Sequence, residues 1–150
     1  MLTLTVAIVV IALVFDYING FHDAVNSVAT IVSTRVLTPL QAVAWAAFFN
    51  FVSAVCFGTG VAKTVGAGMV DSAIVTRYVI LAGLTGAIVW DLVTWWLGLP
   101  TSSSHALFGG LAGAAVVHTA HLHSIGQAFG GIVVSGWVNT LLFMVAAPLI

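Results

Sequence analysis

The chain carries almost no charge. Only 5% of its 150 residues are charged: three Lys or Arg, four Asp and no Glu. A soluble globular domain has about 25% charged residues, so an ordinary water-exposed surface is excluded. With so few Lys and Arg there is no basic patch to hold nucleic acid, and no nucleic-acid partner is expected. A single cysteine, Cys56, excludes an intrachain disulfide. No Lys or Arg precedes the first apolar run, and no small-residue cleavage site follows it cleanly. That run therefore reads as a membrane span and not as a signal peptide.

What is present is apolar: 61% of residues are hydrophobic and the mean hydropathy is +1.21. The composition is that of an integral membrane protein, and a multi-pass place in the cell (plasma or inner) membrane is the expectation. A spanning helix needs about 20 apolar residues. Residues 2–19 supply the first, continuing as a broken segment to about Val36, and Thr38-Pro39 starts a new helix. Residues 40–62 are a second span. Lys63 to Tyr78, with Lys63, Asp71, Arg77, Gly66 and Gly68, reads as an interfacial loop. Residues 78–98 form a third span that ends in Trp95-Trp96 and is stopped by Gly98-Leu99-Pro100. Residues 101–117 are expected to be re-entrant, 118–123 a His-rich loop, and 125–150 a last span. The expected fold is all-α: a polytopic transmembrane helical bundle with a broken first helix and a re-entrant helical hairpin. It forms one domain over 1–150, expected to be incomplete at its C-terminal end because Ile150 is still within an apolar run.

Polar residues interrupt these spans at two places. The first is Gly20-Phe21-His22-Asp23-Ala24-Val25-Asn26-Ser27. Asp16, Asn19, Asp23, Asn26, Thr30 and Ser33 recur every three or four residues, which makes one stripe on a helix. A carboxylate at a helix centre costs about 2.5–3.5 kcal/mol even on insertion scales, so the stripe makes sense facing a polar cavity. Gly20 lowers the cost of leaving helical geometry. The mechanistic reading is a discontinuous helix whose carbonyls, with Asp23 and Asn26, bind a cation. The alternative is a polar face packed against other helices.

The second is Pro100-Thr101-Ser102-Ser103-Ser104-His105-Ala106-Leu107. Pro, then hydroxyl residues, then an apolar run mark a helix start. Such an N-terminus carries roughly half a positive charge and free N–H groups, and binds oxyanions without Arg or Lys. Plain capping by Thr101 or Ser102 is the alternative, although four consecutive hydroxyls exceed that need. Gly109, Gly110 and Gly113 follow and permit close packing behind the site.

An anion near Asp23 with no cationic side chain is an electrostatic problem, because like charges in low dielectric repel strongly. The balancing charge is therefore expected to arrive with the substrate, as a proton, a sodium ion or a divalent metal. Asp91, inside the third span, is a candidate for cation or proton coupling. His118, His121 and His123 have no Cys or Glu beside them and read as a solvated loop in preference to a metal site. A Ser-His-Asp hydrolase is disfavoured because His105 directly follows Ser104, and adjacent helix residues do not face each other. No resident cofactor or metal is expected, and no enzymatic activity.

At both motifs, GFHDAVNSVAT (20–30) and PTSSSHALFGG (100–110), the sequence resembles the inorganic phosphate transporter (PiT) family over nearly its whole length. The resemblance implies secondary active symport of inorganic phosphate and a fold of two inverted repeats, of which this chain supplies the N-terminal one. It implies Asp23 and Asn26 at a cation and phosphate site, and Ser102, Ser103 and Ser104, with Thr101 as a further member, at the phosphate. His22 stands where sodium-coupled relatives usually have Asn. That resembles the bacterial low-affinity branch, which moves a neutral metal–phosphate complex with protons, and imidazole is a natural proton acceptor. A second repeat or second copy is expected to complete the site, in a homo-oligomer. A channel or porter for another small polar solute is the competing reading.

Overall fold

The computed structural model describes residues 2–56, 68–146 and 149. Among the described residues it contains these α-helices: α1 Leu2–Ser33, α2 Pro39–Cys56, α3 Arg77–Trp96, α4 Ser103–Leu122 and α5 Val134–Ala146. A 3₁₀ segment, Ile125–Gly131, lies between α4 and α5. No strand occurs among the described residues; Val70 and Ile132 form an isolated bridge. Three helices, α1, α2 and α3, are long and apolar enough to cross a membrane. The fold is an all-α polytopic bundle.

Local chemistry sets the helix ends. Arg35 takes a left-handed conformation (φ 59°) after α1. Val36 N–H then donates to Ile31 O and Arg35 N–H to Val32 O, which is a Schellman closure. Thr38 and Gln41 cap α2 reciprocally, with the Thr38 N–H donating to Gln41 Oε1 at 3.1 Å and the Gln41 N–H to Thr38 Oγ1 at 3.4 Å. Pro39 occupies the first helical position. α3 starts at Thr76, whose hydroxyl accepts from Val79 N–H, and ends in a second Schellman closure. There Gly98 (φ 66°) donates to Trp95 O and Leu99 to Thr94 O. Pro100 follows, and the chain turns back as α4.

α3 and α4 are antiparallel and meet on glycine. A Cβ on Gly110 would collide with the Gly83 carbonyl oxygen, and one on Gly83 would lie 3.0 Å from Leu111 Cα. α1 runs parallel to α3: Phe15 packs with Leu84 and Ala87, supported by Ile8, Ile11 and Ile80. Phe21 meets Trp95 at 5.3 Å between ring centroids. A second cluster, Val70, Val79 and Ala115, ties α3 and α4 to the segment before α3.

The structure corrects three expectations. α1 is not broken: it runs unbroken through Gly20. A glycine in a helix costs about 1 kcal/mol, less than leaving backbone groups unpaired in a membrane. The predicted re-entrant piece and His-rich loop are one helix, α4, with His118 and His121 in it and His123 at its C-cap. In place of a single span over 125–150 there is a glycine-rich 3₁₀ segment followed by α5, 13 residues long. In the described part of the 63–78 loop, one end packs against the rest of the chain. Met69 and Val70 are almost fully buried, and Met69 O accepts from Trp137 Nε1 and Val133 N–H. Lys63 and Gly66 lie outside the described residues.

Candidate functional site

α1 carries His22 on the face that meets α3, at 6% exposure. On α3, Asp91 (0%) and Thr94 (1%) point to the same place, and Ser103 (0%) enters from the first turn of α4. The Gly98 turn makes this meeting possible, because it returns the chain so that Thr101 Oγ1 donates to Thr94 Oγ1 at 3.0 Å. Thr94 Oγ1 donates to its own helix, at Trp90 O (3.0 Å) and Asp91 O (3.1 Å). It also lies 3.4 Å from His22 Nε2.

The Thr94 hydroxyl faces His22 Nε2, and which of the two donates depends on the tautomer of the ring. On the other side of the ring, Nδ1 lies 3.9 Å from Asp23 Oδ1 and makes no hydrogen bond.

Several polar atoms here are buried and unpartnered. Among the described residues, Asn19 Oδ1, His22 Nδ1, both Asp91 carboxylate oxygens and Ser103 Oγ lack a hydrogen-bond partner. Unpaired buried polar groups cost about 1–3 kcal/mol each, and native folds keep few of them. Here they gather where α1, α3 and α4 converge. Among the described residues no basic side chain is at hand: Arg77 is 14 residues before Asp91 on α3, about 21 Å along the axis, and Arg35 lies beyond the end of α1.

The start of α4 offers donors. Ser102 is the N-cap residue, extended at φ −100° and ψ 117°, and its hydroxyl makes no capping bond. The N–H groups of Ser103, Ser104 and His105 precede the first intrahelical bond, which Ala106 N–H makes to Ser102 O. Plain capping therefore does not account for the serines.

The predicted residues divide. His22, Asp91, Thr101 and Ser103 are brought together, and Asp23 stands at the edge with 48% of its side chain exposed. Asn26 is exposed on α1, clear of this convergence. Ser104 faces another way, lining a cavity of about 530 Å³ with Asp16, Asn19 and apolar residues that include Phe15 and Leu84. His118 and His121 lie on α4 and His123 at its C-cap, and among the described residues no group of three or more His, Cys, Asp or Glu is placed to hold a metal. Sequence reading missed Thr94, the residue that joins the two motifs. Its signal was its place one turn from Asp91, on the same helix face.

Residues 19–150 match the model of PHO4, described as the phosphate transporter family. The chain belongs to the phosphate transporter family. Among its relatives, a protein of Rhizobium meliloti (strain 1021) named "Probable low-affinity inorganic phosphate transporter" is 52% identical over 97% of this chain and 41% of the relative. Proteins of the same name from Streptomyces halstedii and Bacillus subtilis (strain 168) are 49% and 43% identical. They cover 99% and 100% of this chain, and 66% and 43% of themselves. The chain thus spans between about two-fifths and two-thirds of the length of these phosphate transporter relatives. No solved structure matches it. The family's description names transporters, not enzymes, and the apolar helices suit a multi-pass membrane protein.

Proposed function

We propose that the protein moves inorganic phosphate across the membrane by symport with a positive ion. The observation that carries this reading is the cluster of unpartnered polar atoms around the open N-terminus of α4. The relatives' names supply the anion. Phosphate docks at the start of α4 on main-chain N–H groups and on the hydroxyls of Ser102 and Ser103, with Thr101 tied to Thr94 beside it, where the helix end contributes about half a positive charge.

Phosphate still needs compensation, because Asp23 and Asp91 are nearby and, among the described residues, no Arg or Lys is. The co-transported charge is a proton, a sodium ion or a divalent metal travelling with the anion as a neutral complex. Asp23 receives it on one side and Nδ1 of His22 on the other, with Asn26 guiding entry. A second repeat or a second copy closes the site from the side that this chain leaves open. No resident cofactor takes part.

The test is uptake of labelled phosphate by proteoliposomes containing the full-length protein. An imposed gradient of proton, sodium or divalent metal drives uptake, and excess phosphate competes away the labelled anion. Uptake indifferent to all three gradients refutes symport. Uptake of another small solute that phosphate does not inhibit favours the channel or porter reading.

A further inference from the structure

Asp91 has a place in this cluster that its burial alone does not explain. It is fully buried in a membrane-crossing helix, and both its oxygens lack partners. The charged and titratable groups that face it are His22 and Asp23, both on α1; from α4 the uncharged Ser103 hydroxyl lies beside it, short of a well-formed hydrogen bond. Ser103 is itself fully buried and unpartnered, and it is the first residue of α4. It thus borders both the carboxylate and the proposed phosphate position.

A serine hydroxyl has one proton to donate. A bare carboxylate is a stronger acceptor than a neutral group, because charge-assisted hydrogen bonds are about twice as strong. The Ser103 proton therefore has two claimants, Asp91 and phosphate, and can serve one at a time.

We infer that Asp91 and Ser103 are a coupling switch: a bare Asp91 carboxylate holds the Ser103 proton, and a monovalent cation on Asp91 frees that proton for phosphate. If the cation is a proton, Asp91 becomes a neutral acid whose O–H donates to Ser103 Oγ, and the Ser103 O–H donates onward to a phosphate oxygen. If it is sodium, the ion takes the carboxylate and the Ser103 oxygen as ligands and leaves the Ser103 O–H for phosphate. No covalent bond to a heavy atom changes in either case. Cation and phosphate then strengthen each other's binding, as linkage requires. The switch rests on the phosphate site proposed above and adds a coupling step separate from the charge at Asp23.

The experiment is phosphate binding to the full-length protein, titrated against proton concentration in one arm and against sodium at fixed pH in the other. The slope of log affinity against log cation concentration counts cations taken up with phosphate. In the arm to which wild type responds, Asp91→Asn lowers that slope by about one, because the amide donates to Ser103 whatever the cation. Comparison with wild type at each pH cancels phosphate's own titration. Ser103→Ala lowers phosphate affinity about tenfold and lowers the slope by the same step. If Asp91→Asn does not insert, the slope of Ser103→Ala decides. A slope unchanged from wild type in both variants, or in Ser103→Ala alone in that event, overturns the switch and leaves the phosphate site standing. Failure of wild type to bind phosphate overturns both.

Discussion

Thr94 shows how much one hydroxyl can organise. It accepts from Thr101 of the turn, meets His22 of α1 and donates to its own helix. Thr94→Val keeps the shape and removes the oxygen. That leaves the Thr101 hydroxyl without its acceptor and frees the imidazole to turn over. The expected cost to phosphate binding is about 1–3 kcal/mol, and Thr94→Ser restores most of it. Equal affinities for Val and Ser in a binding isotherm would assign Thr94 to packing alone. Asp23 is the opposite kind of residue, half-exposed with no hydrogen bond to lose. Asp23→Asn is expected to abolish uptake while the protein still inserts and retains its helical circular dichroism. Normal uptake by that variant removes Asp23 from the mechanism. Both Asp23 and Asp91 were visible in the sequence because a carboxylate in an apolar run has few bland explanations. Thr94 was not, because threonine is ordinary in a span and only the Gly98 turn gives it a partner. Asn26, which the repeat of three and four puts on the polar stripe, is exposed on α1 beyond His22.

At the scale of elements, the α3–α4 hairpin is the rigid part. Its helices touch where Gly110 meets the backbone of Gly83, so a methyl there forces the helices apart. Gly110→Ala is expected to cost about 1–3 kcal/mol in detergent stability, the usual penalty of overpacking. Gly109→Ala meets nothing within 4 Å and is expected to be neutral or to stabilise by up to about 1 kcal/mol through helix propensity. Equal melting temperatures for the two variants would show that the helices are not held at this contact. The sequence displayed the glycines but not which of them touches: Gly109 and Gly110 are neighbours, and their facing depends on the crossing of two helices. The unbroken α1 and the helical His118 and His121 were missed for a shared reason. Polar and glycine residues suggest a break in an isolated segment, whereas a membrane favours keeping every backbone hydrogen bond.

At the scale of the whole molecule, burial is lopsided. α2 buries only Ala42, and its Trp45, Phe48 and Phe49 cluster together while remaining exposed. α1 likewise leaves Val10, Leu13, Tyr17 and Val25 uncovered. The all-helical class and three of the crossings followed from hydropathy alone. The short α5 did not, because length of apolar sequence does not reveal a 3₁₀ interruption. The 15.5 kDa polypeptide is expected to run in detergent as a multiple of its own mass or bound to a second repeat. A lone monomer with full phosphate affinity, measured by light scattering and radioligand binding, would refute the need for a partner.

α1 is 32 residues long, about 48 Å, against about 30 Å of hydrocarbon. Trp95 and Trp96, of the type that favours the membrane boundary, lie level with Phe21. A helix of that length must tilt within the oily layer or project from it. Its last turns carry Asn26, Ser27, Thr30 and Ser33, so in either setting a polar track runs along α1 and ends at the His22 threshold.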